Sequence, residues 1–341
     1  MSNDVHRETN ARHTLNSRPR ILFVSTRRTP FIEEDLRALA AEFPVTVRVG
    51  SGPGQIIRVI SGVFRSDIVF CWFASVYAAV AILTARLLGR KSVVVIGGVD
   101  VAAEPGYGYG LWLSPWRAAL VRKAIQSASK VLVVDESLKK ETIARAHPDG
   151  STIEILPTGY DSDRWIPSGR KEPLVLTVAS VDSEGRLFVK GIDVLFEAAR
   201  NLPRVHFVLV GFDREKFPSH IPPGNLCVVG IVEQSELLFH YRRAKVYCQP
   251  SRREGLPNTL CEAMLCGCIP VATDTGGTKR AVGPCGVVVP PNDPVALVSG
   301  IRRALKMNNE TGAKARKRIV SRFPKMERDR RLIELIRELA A

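Results

Sequence analysis

The stretch Val246-Tyr-Cys-Gln-Pro-Ser251-Arg-Arg-Glu254-Gly-Leu-Pro-Asn-Thr-Leu-Cys-Glu262-Ala-Met-Leu-Cys-Gly-Cys-Ile-Pro270-Val-Ala272 reads in turn as strand, loop, helix and strand. Apolar runs open and close it, Val246 to Cys248 and Ile269 to Ala272. Between them Gly255 serves as a flexible joint, and Pro257 suits the first helical position, where a missing N–H costs nothing. Leu260, Met264 and Leu265 then supply an apolar face, and Gly267 stops the helix. Short apolar runs separated by helix-length segments build a parallel sheet wrapped by helices.

The same alternation extends in both directions. In the first half the expected strands are Ile21 to Ser25, Val45 to Val49, Ile68 to Phe73, Ser92 to Ile96 and Lys130 to Val134. In the second they are Leu174 to Val178, His206 to Val210, Leu226 to Val229, Val246 to Cys248 and Ile269 to Ala272. The Pro- and Gly-containing stretch Thr158 to Pro173 joins the halves. A chain of 341 residues suits two domains of ordinary size, and ligands of such sheets bind beyond the carboxyl ends of the strands. Two domains facing each other therefore place a site in the cleft between them.

Within the opening stretch, the first-turn amides at Asn258, Thr259 and Leu260 lack intrahelical partners and point forward as donors toward a phosphate or sugar oxygen. Glu254 lies in the loop before that helix end, and Glu262 about two turns inside. One carboxylate reaches a sugar ring at the helix mouth, and the other accepts from vicinal hydroxyls such as those of a ribose; both accept only while ionised. A bare pair at this spacing is more often two surface glutamates on an amphipathic helix.

Composition sets the outer limits. Apolar content of 45% with 24% charged residues is that of a globular protein, and a net charge of +15 favours an anionic partner. Met1 to Arg18 is polar and lacks an apolar h-region, so it is expected to be a disordered tail and not a signal, with a cytoplasmic location following. Seven cysteines at strand and helix positions argue for reduced thiols, and Cys261, Cys266 and Cys268 read as small buried side chains, not a metal knuckle. No metal ligand set is evident. Ile68 to Ala85 is uncharged, but its β-branched and aromatic start and alanine-rich end fit strand then helix better than a membrane span. The helix expected over Leu111 to Ala128 carries Trp112, Trp116, Arg117, Arg122 and Lys123, a mixture suited either to anionic lipid or to a core-facing helix with a solvated basic side. An oxidoreductase is disfavoured: no Gly-x-Gly-x-x-Gly follows an expected strand, and Gly106-Tyr-Gly108-Tyr-Gly110 reads as a loop.

The ordered set Ser251, Glu254-Gly255-Leu256-Pro257, Glu262-Ala263-Met264, Cys266-Gly267, Pro270-Val271-Ala272-Thr273 and Gly276-Gly277 resembles the donor side of the family 4 retaining glycosyltransferases. The resemblance runs from about Ile21 onward and implies the GT-B fold, an α/β architecture of two Rossmann-like domains facing each other across a cleft. It divides the chain into the tail 1–18, an acceptor-side domain 19–165, a nucleotide-sugar donor domain 166–321, and a helix 322–341 that packs back on the first domain. It implies a UDP- or GDP-sugar as donor substrate, no cofactor, a hydroxyl acceptor that is free or lipid-linked, metal independence, and front-face substitution in which the leaving phosphate helps deprotonate the acceptor. Glu262 would hold the ribose, and Glu254 with the amides of the turn Gly255-Leu256-Pro257-Asn258 the sugar.

A second element, Arg186-Leu-Phe-Val-Lys190-Gly191-Ile-Asp193, sits after the strand ending at Val178 and before a helix starting near Ile192. Lys190 delivers a compact positive charge to a phosphate, while Gly191 lets the backbone pass close. Charge builds on the distal phosphate as the sugar departs, so Lys190 and an arginine lower the barrier. Relatives carry that arginine two residues past the strand, where this chain has Val178-Ala179-Ser180-Val181; Arg186 is the substitute. Relatives also tend to place a glutamate after the Gly-Gly pair, against Lys279-Arg280 here. On the acceptor side only Asp100 remains of a His-Asp pair, suited equally to accepting from a sugar or acceptor hydroxyl and to capping a helix or turn, and Arg27 and Arg28 replace a glycine-rich loop after the first strand. Two rival readings stay open. A sugar-nucleotide epimerase or inverting transferase of this fold needs a base in the first domain, for which only Asp100 is available. A basic nucleic-acid or lipid binder without catalysis would not depend on Glu254, and the dispersed arginines lack the interleaved aromatics of a nucleic-acid groove.

Overall fold

The computed structural model describes residues 18–341. The tail expected over 1–18 lies outside the described residues except for Arg18, which is exposed. Two six-stranded, wholly parallel sheets form separate α/β domains. The first contains β1 (Ile21–Ser25), α1 (Pro30–Glu42), β2 (Val45–Val49), α2 (Pro53–Phe64), β3 (Ile68–Trp72), α3 (Val76–Leu87), β4 (Lys91–Ile96), α4 (Pro115–Ser127), β5 (Lys130–Val133), α5 (Glu136–Ala146) and β6 (Ile153–Ile155), with strand order β2-β1-β3-β4-β5-β6. Strands β1, β3, β4 and β5 are buried almost throughout, as expected of strands covered on both faces.

The second contains β7 (Glu172–Val178), α6 (Glu184–Val189), α7 (Ile192–Arg200), β8 (His206–Val210), β9 (Leu226–Val229), α8 (Gln234–Arg243), β10 (Ala244–Gln249), α9 (Asn258–Leu265), β11 (Ile269–Thr273), α10 (Thr278–Val282), β12 (Val287–Val289) and α11 (Pro294–Lys306), ordered β12-β11-β10-β7-β8-β9. Two further helices follow, α12 (Asn309–Arg322) and α13 (Lys325–Ala340). Helix α13 lies against α1 of the first domain. There Arg328 donates from Nε and Nη2 to the two oxygens of Asp35, each at 2.7 Å, and from Nη1 to the carbonyls of Leu156 and Pro157. Trp72 donates to the same Asp35, so a fully buried carboxylate is satisfied from three sides.

Every expected strand is present, within two residues at each end. The strand beginning at Ile68 stops at Trp72 because Phe73 turns out of the sheet with φ 64°. Two edge strands escaped the sequence reading: β6 and β12 are three residues each, too short for alternation to register. The helix expected from Leu111 begins only at Pro115, after a separate 3₁₀ turn at Leu111–Leu113. Ile68 to Ala85 is strand β3 followed by α3, and among the described residues no helix is long and apolar enough to cross a membrane.

Candidate active site

The carboxyl end of β10 delivers Gln249, Ser251 and Glu254 to the cleft. Glu254 Oε1 accepts from Ser251 Oγ at 2.6 Å, from Gln249 Nε2 at 2.8 Å and from Lys190 Nζ at 2.6 Å. Lys190 arrives from the other side, at the end of α6. Gly191 follows in the left-handed region at φ 67°, and a Cβ there would lie 2.0 Å from the Pro250 carbonyl oxygen. The sequence predicts a close approach by phosphate at this glycine; the contact that requires it is with the neighbouring strand end, which seats Lys190 beside Glu254.

Gly255 differs from its expected role in a similar way. Its φ is not positive, but a Cβ would meet Leu138 at 2.9 Å and the Gly97 carbonyl at 3.1 Å, both in the first domain. Its lack of a side chain lets the two domains touch. Leu256 is buried, and Pro257 caps α9 instead of opening it, so the helix starts at Asn258. The Asn258 side chain is tied to the interdomain connection, accepting from Thr158 Oγ1 at 3.0 Å and Tyr160 Oη at 2.8 Å. Its side chain is therefore not free at the helix mouth.

Glu262 is almost buried, and Tyr241 of α8 donates to its Oε2 at 3.0 Å. Burial pushes its carboxyl up to about 7, opposed by the Tyr241 hydrogen bond and the Arg164 charge. The sequence predicts an ionised group here; near neutrality it is divided between protonated and charged forms. Tyr247 feels the charges of both Glu254 and Glu262 and hydrogen-bonds Thr259 Oγ1 at 2.7 Å and Gln249 Oε1 at 3.1 Å, which links the two carboxylate stations.

The first-domain candidates fare differently. Asp100 is fully buried, and its oxygens accept from the amides of Gly98 at 2.7 Å, Gly97 at 3.1 Å and Ala74 at 3.2 Å. Burial raises its carboxyl above the usual range even against those amides. Of the two roles the sequence leaves open for Asp100, these contacts are those of the turn aspartate: the carboxylate holds the loop after β4 in shape. Arg27 and Arg28 lie exposed beyond β1, Arg28 at 3.5 Å from Glu33, and neither joins the Glu254 cluster. Arg186 pairs with Asp182 at 3.0 Å, while its Nε is buried without a partner.

Three site residues went unnoticed in the sequence. Gln249 was legible in principle as a polar residue closing an apolar strand. Arg253 crosses the cleft: its guanidinium pairs with Glu104 at 3.1 Å and with Glu141, both from the first domain. Tyr109, from the glycine run, has a phenol raised by burial and sits within the electrostatic reach of Arg186, Glu254, Arg253 and Asp100. Beside it Tyr107 stacks on Phe188 at 6.0 Å and lies under Arg252, which itself grips Asp193 through two bonds of 2.6 and 2.7 Å. The glycine run is a loop, as expected, but one that spans the domains. Cys261, Cys266 and Cys268 are buried free thiols packed in the core.

Two parallel-sheet α/β domains in contact form an architecture seen in solved structures. The chain superposes on HepE from Anabaena, solved in complex with UDP, with TM-score 0.74 and 16% identity over 94% of this chain and 100% of that one. Sucrose-phosphate synthase from Thermosynechococcus elongatus superposes with TM-score 0.77 and 15% identity over 94% of this chain and 99% of that one. Residues 172–307 match the family described as Glycosyl transferases group 1, and residues 11–164 that described as Glycosyltransferase Family 4. The chain belongs to the family 4 glycosyltransferases of GT-B fold. Among curated proteins it is 27% identical to D-inositol 3-phosphate glycosyltransferase of Mycolicibacterium gilvum, over 59% of this chain and 50% of that protein. It is also 27% identical to the GDP-mannose-dependent alpha-mannosyltransferase of Mycolicibacterium smegmatis, over 79% of this chain and 72% of that protein. The chain thus spans half the length of the first of these relatives and more of the second.

Proposed function

We propose that this protein is a retaining glycosyltransferase that moves a sugar from a UDP- or GDP-sugar to a hydroxyl acceptor in glycan, polysaccharide or glycolipid assembly. The observation that carries the reading is the convergence of Lys190, Ser251 and Gln249 on Glu254 Oε1 at the carboxyl end of β10. Three donors on one oxygen make Glu254 a poor nucleophile and leave its other oxygen to accept from a sugar hydroxyl. The donor diphosphate then competes for Lys190, whose ammonium, with Arg186, stabilises charge developing on the leaving phosphate. Front-face departure lets that phosphate oxygen take the acceptor proton. Glu262 receives the ribose hydroxyls, and the amides at the start of α9 face the sugar.

Positive charge from Lys190 and Arg186 supports a metal-independent reaction without cofactor. The epimerase or inverting reading needs a first-domain base, and the three amides on Asp100 count against it. A cytoplasmic location, with peripheral association at the membrane and a lipid-linked acceptor, completes the reading. The test is a thermal-shift screen against UDP, GDP, ADP and their sugars, with and without a chelator, since a ligand that binds only the folded state raises apparent stability. A shift selective for one base and lost in Glu262→Ala, followed by product NMR showing the donor's anomeric configuration retained, supports it. No shift with any nucleotide overturns it.

A further inference from the structure

Helices α2, α3 and α4 pack side by side over one face of the first sheet. None of the three contains an aspartate or glutamate. Their basic residues Arg58, Arg86, Arg117, Arg122 and Lys123 are all exposed, as is Arg65 just beyond α2. The nearby carboxylate of Asp67 is held by Arg20 at 3.0 Å and Arg90 at 3.4 Å. The opposite face is built otherwise: α1 carries Glu33, Glu34, Asp35 and Glu42, and α13 carries Glu327, Asp329, Glu334 and Glu338, largely paired with arginines.

Large apolar side chains stand among these cations. Ile57 is 72% exposed, Phe64 60%, Leu87 87% and Trp116 60%. Ile57 and Phe64 lie two turns apart on one stripe of α2, where Ile60, Ser61 and Arg65 complete a shallow groove of about 430 Å³. Single exposed apolar residues are ordinary, but an apolar stripe flanked by unopposed cations is the surface an anionic bilayer accepts, side chains entering the acyl boundary and guanidinium groups meeting phosphates. Trp112, which the sequence offered for this role, is excluded from it: its indole donates to the Asp100 carbonyl and lies against Arg122 and Arg145.

We propose that α2, α3 and α4 form the face on which this protein lies against a membrane rich in anionic phospholipid. This deepens the membrane-surface part of the proposed function, and its test needs no turnover. Co-sedimentation is measured with vesicles of phosphatidylcholine alone and with phosphatidylglycerol added, at low and high salt. Binding is expected only with the anionic lipid and to weaken with salt. The pairs Ile57→Asp with Phe64→Asp, and Arg58→Glu with Arg65→Glu, are each expected to weaken it at least about tenfold with unchanged thermal unfolding. Lys314→Glu with Lys317→Glu on α12 makes the same change in net charge as the arginine pair, and twice that of the apolar pair, and is expected to leave binding near wild type. Equal losses in all three variants, or equal binding to neutral vesicles, overturns the proposal. So does a self-association in sedimentation equilibrium that the apolar pair abolishes while vesicle binding persists. A protein that binds vesicles but shifts with no nucleotide would refute the transferase reading and leave this one standing.

Discussion

The two halves of the cleft use carboxylates in opposite ways. In the second domain Glu254 sits at a strand end with a lysine, a serine and a glutamine on one oxygen, facing the gap between domains. In the first, Asp100 also follows a strand, yet it is sealed beneath three backbone amides and shapes its own loop. Position at the carboxyl end of a parallel strand is therefore not enough to leave a carboxylate open to a ligand. What decides is whether neighbouring N–H groups consume both oxygens, as they do at Asp100, or leave one open.

The sharpest way to break this contrast is to neutralise both groups. Glu254→Gln is expected to lower kcat by about 10²- to 10³-fold with little change in thermal unfolding, read by steady-state transfer to a sugar acceptor. Loss of the same size in Asp100→Asn, with stability intact, would show that Asp100 acts on substrate after all.

Glu262 gives the next largest effect. Its folded carboxyl stands near 7 against an ordinary 4.5, so the folded state holds the proton more tightly than the unfolded chain. Stability from this group is present below the ordinary value and falls as pH rises through the interval up to about 7, by roughly 3 kcal/mol at most. Urea titrations across that range should show the slope in wild type and lose it in Glu262→Gln. An identical slope in the variant would mean the carboxyl is ionised as the sequence suggested.

Asp100→Asn is expected to destabilise the first domain by about 1–3 kcal/mol, because an amide side chain cannot accept all three backbone bonds. The measurement is the urea midpoint at constant slope. Arg253→Gln tests the join between the halves: removing the guanidinium leaves Glu104 and Glu141 facing each other, and about a tenfold fall in kcat/KM is expected while nucleotide affinity, read by calorimetry, stays within about twofold. A parallel loss of nucleotide binding would make Arg253 a donor ligand instead. The smallest effect belongs to Arg27→Ala with Arg28→Ala, whose exposure predicts less than about a threefold change in donor KM and any larger effect only in acceptor KM.

Much of this was readable before the fold was known. The alternation of apolar runs placed ten of the parallel strands, and the local order Ser251, Glu254, Gly255, Glu262 marked the loop and helix that follow β10, because strand burial and helix starts depend on residues a few positions apart. Lys190 beside Gly191 was likewise legible, although the glycine's reason proved to be the Pro250 carbonyl. What no local pattern could reveal is where distant groups meet. Arg253 finds Glu104 and Glu141 across the cleft, Arg328 finds Asp35 nearly three hundred residues away, and Tyr241 closes over Glu262. Which charges are paired, which carboxyl is pushed toward its protonated form and which helices without acidic residues lie side by side follow from solvent exclusion and long-range packing, so they were decided only when the chain folded.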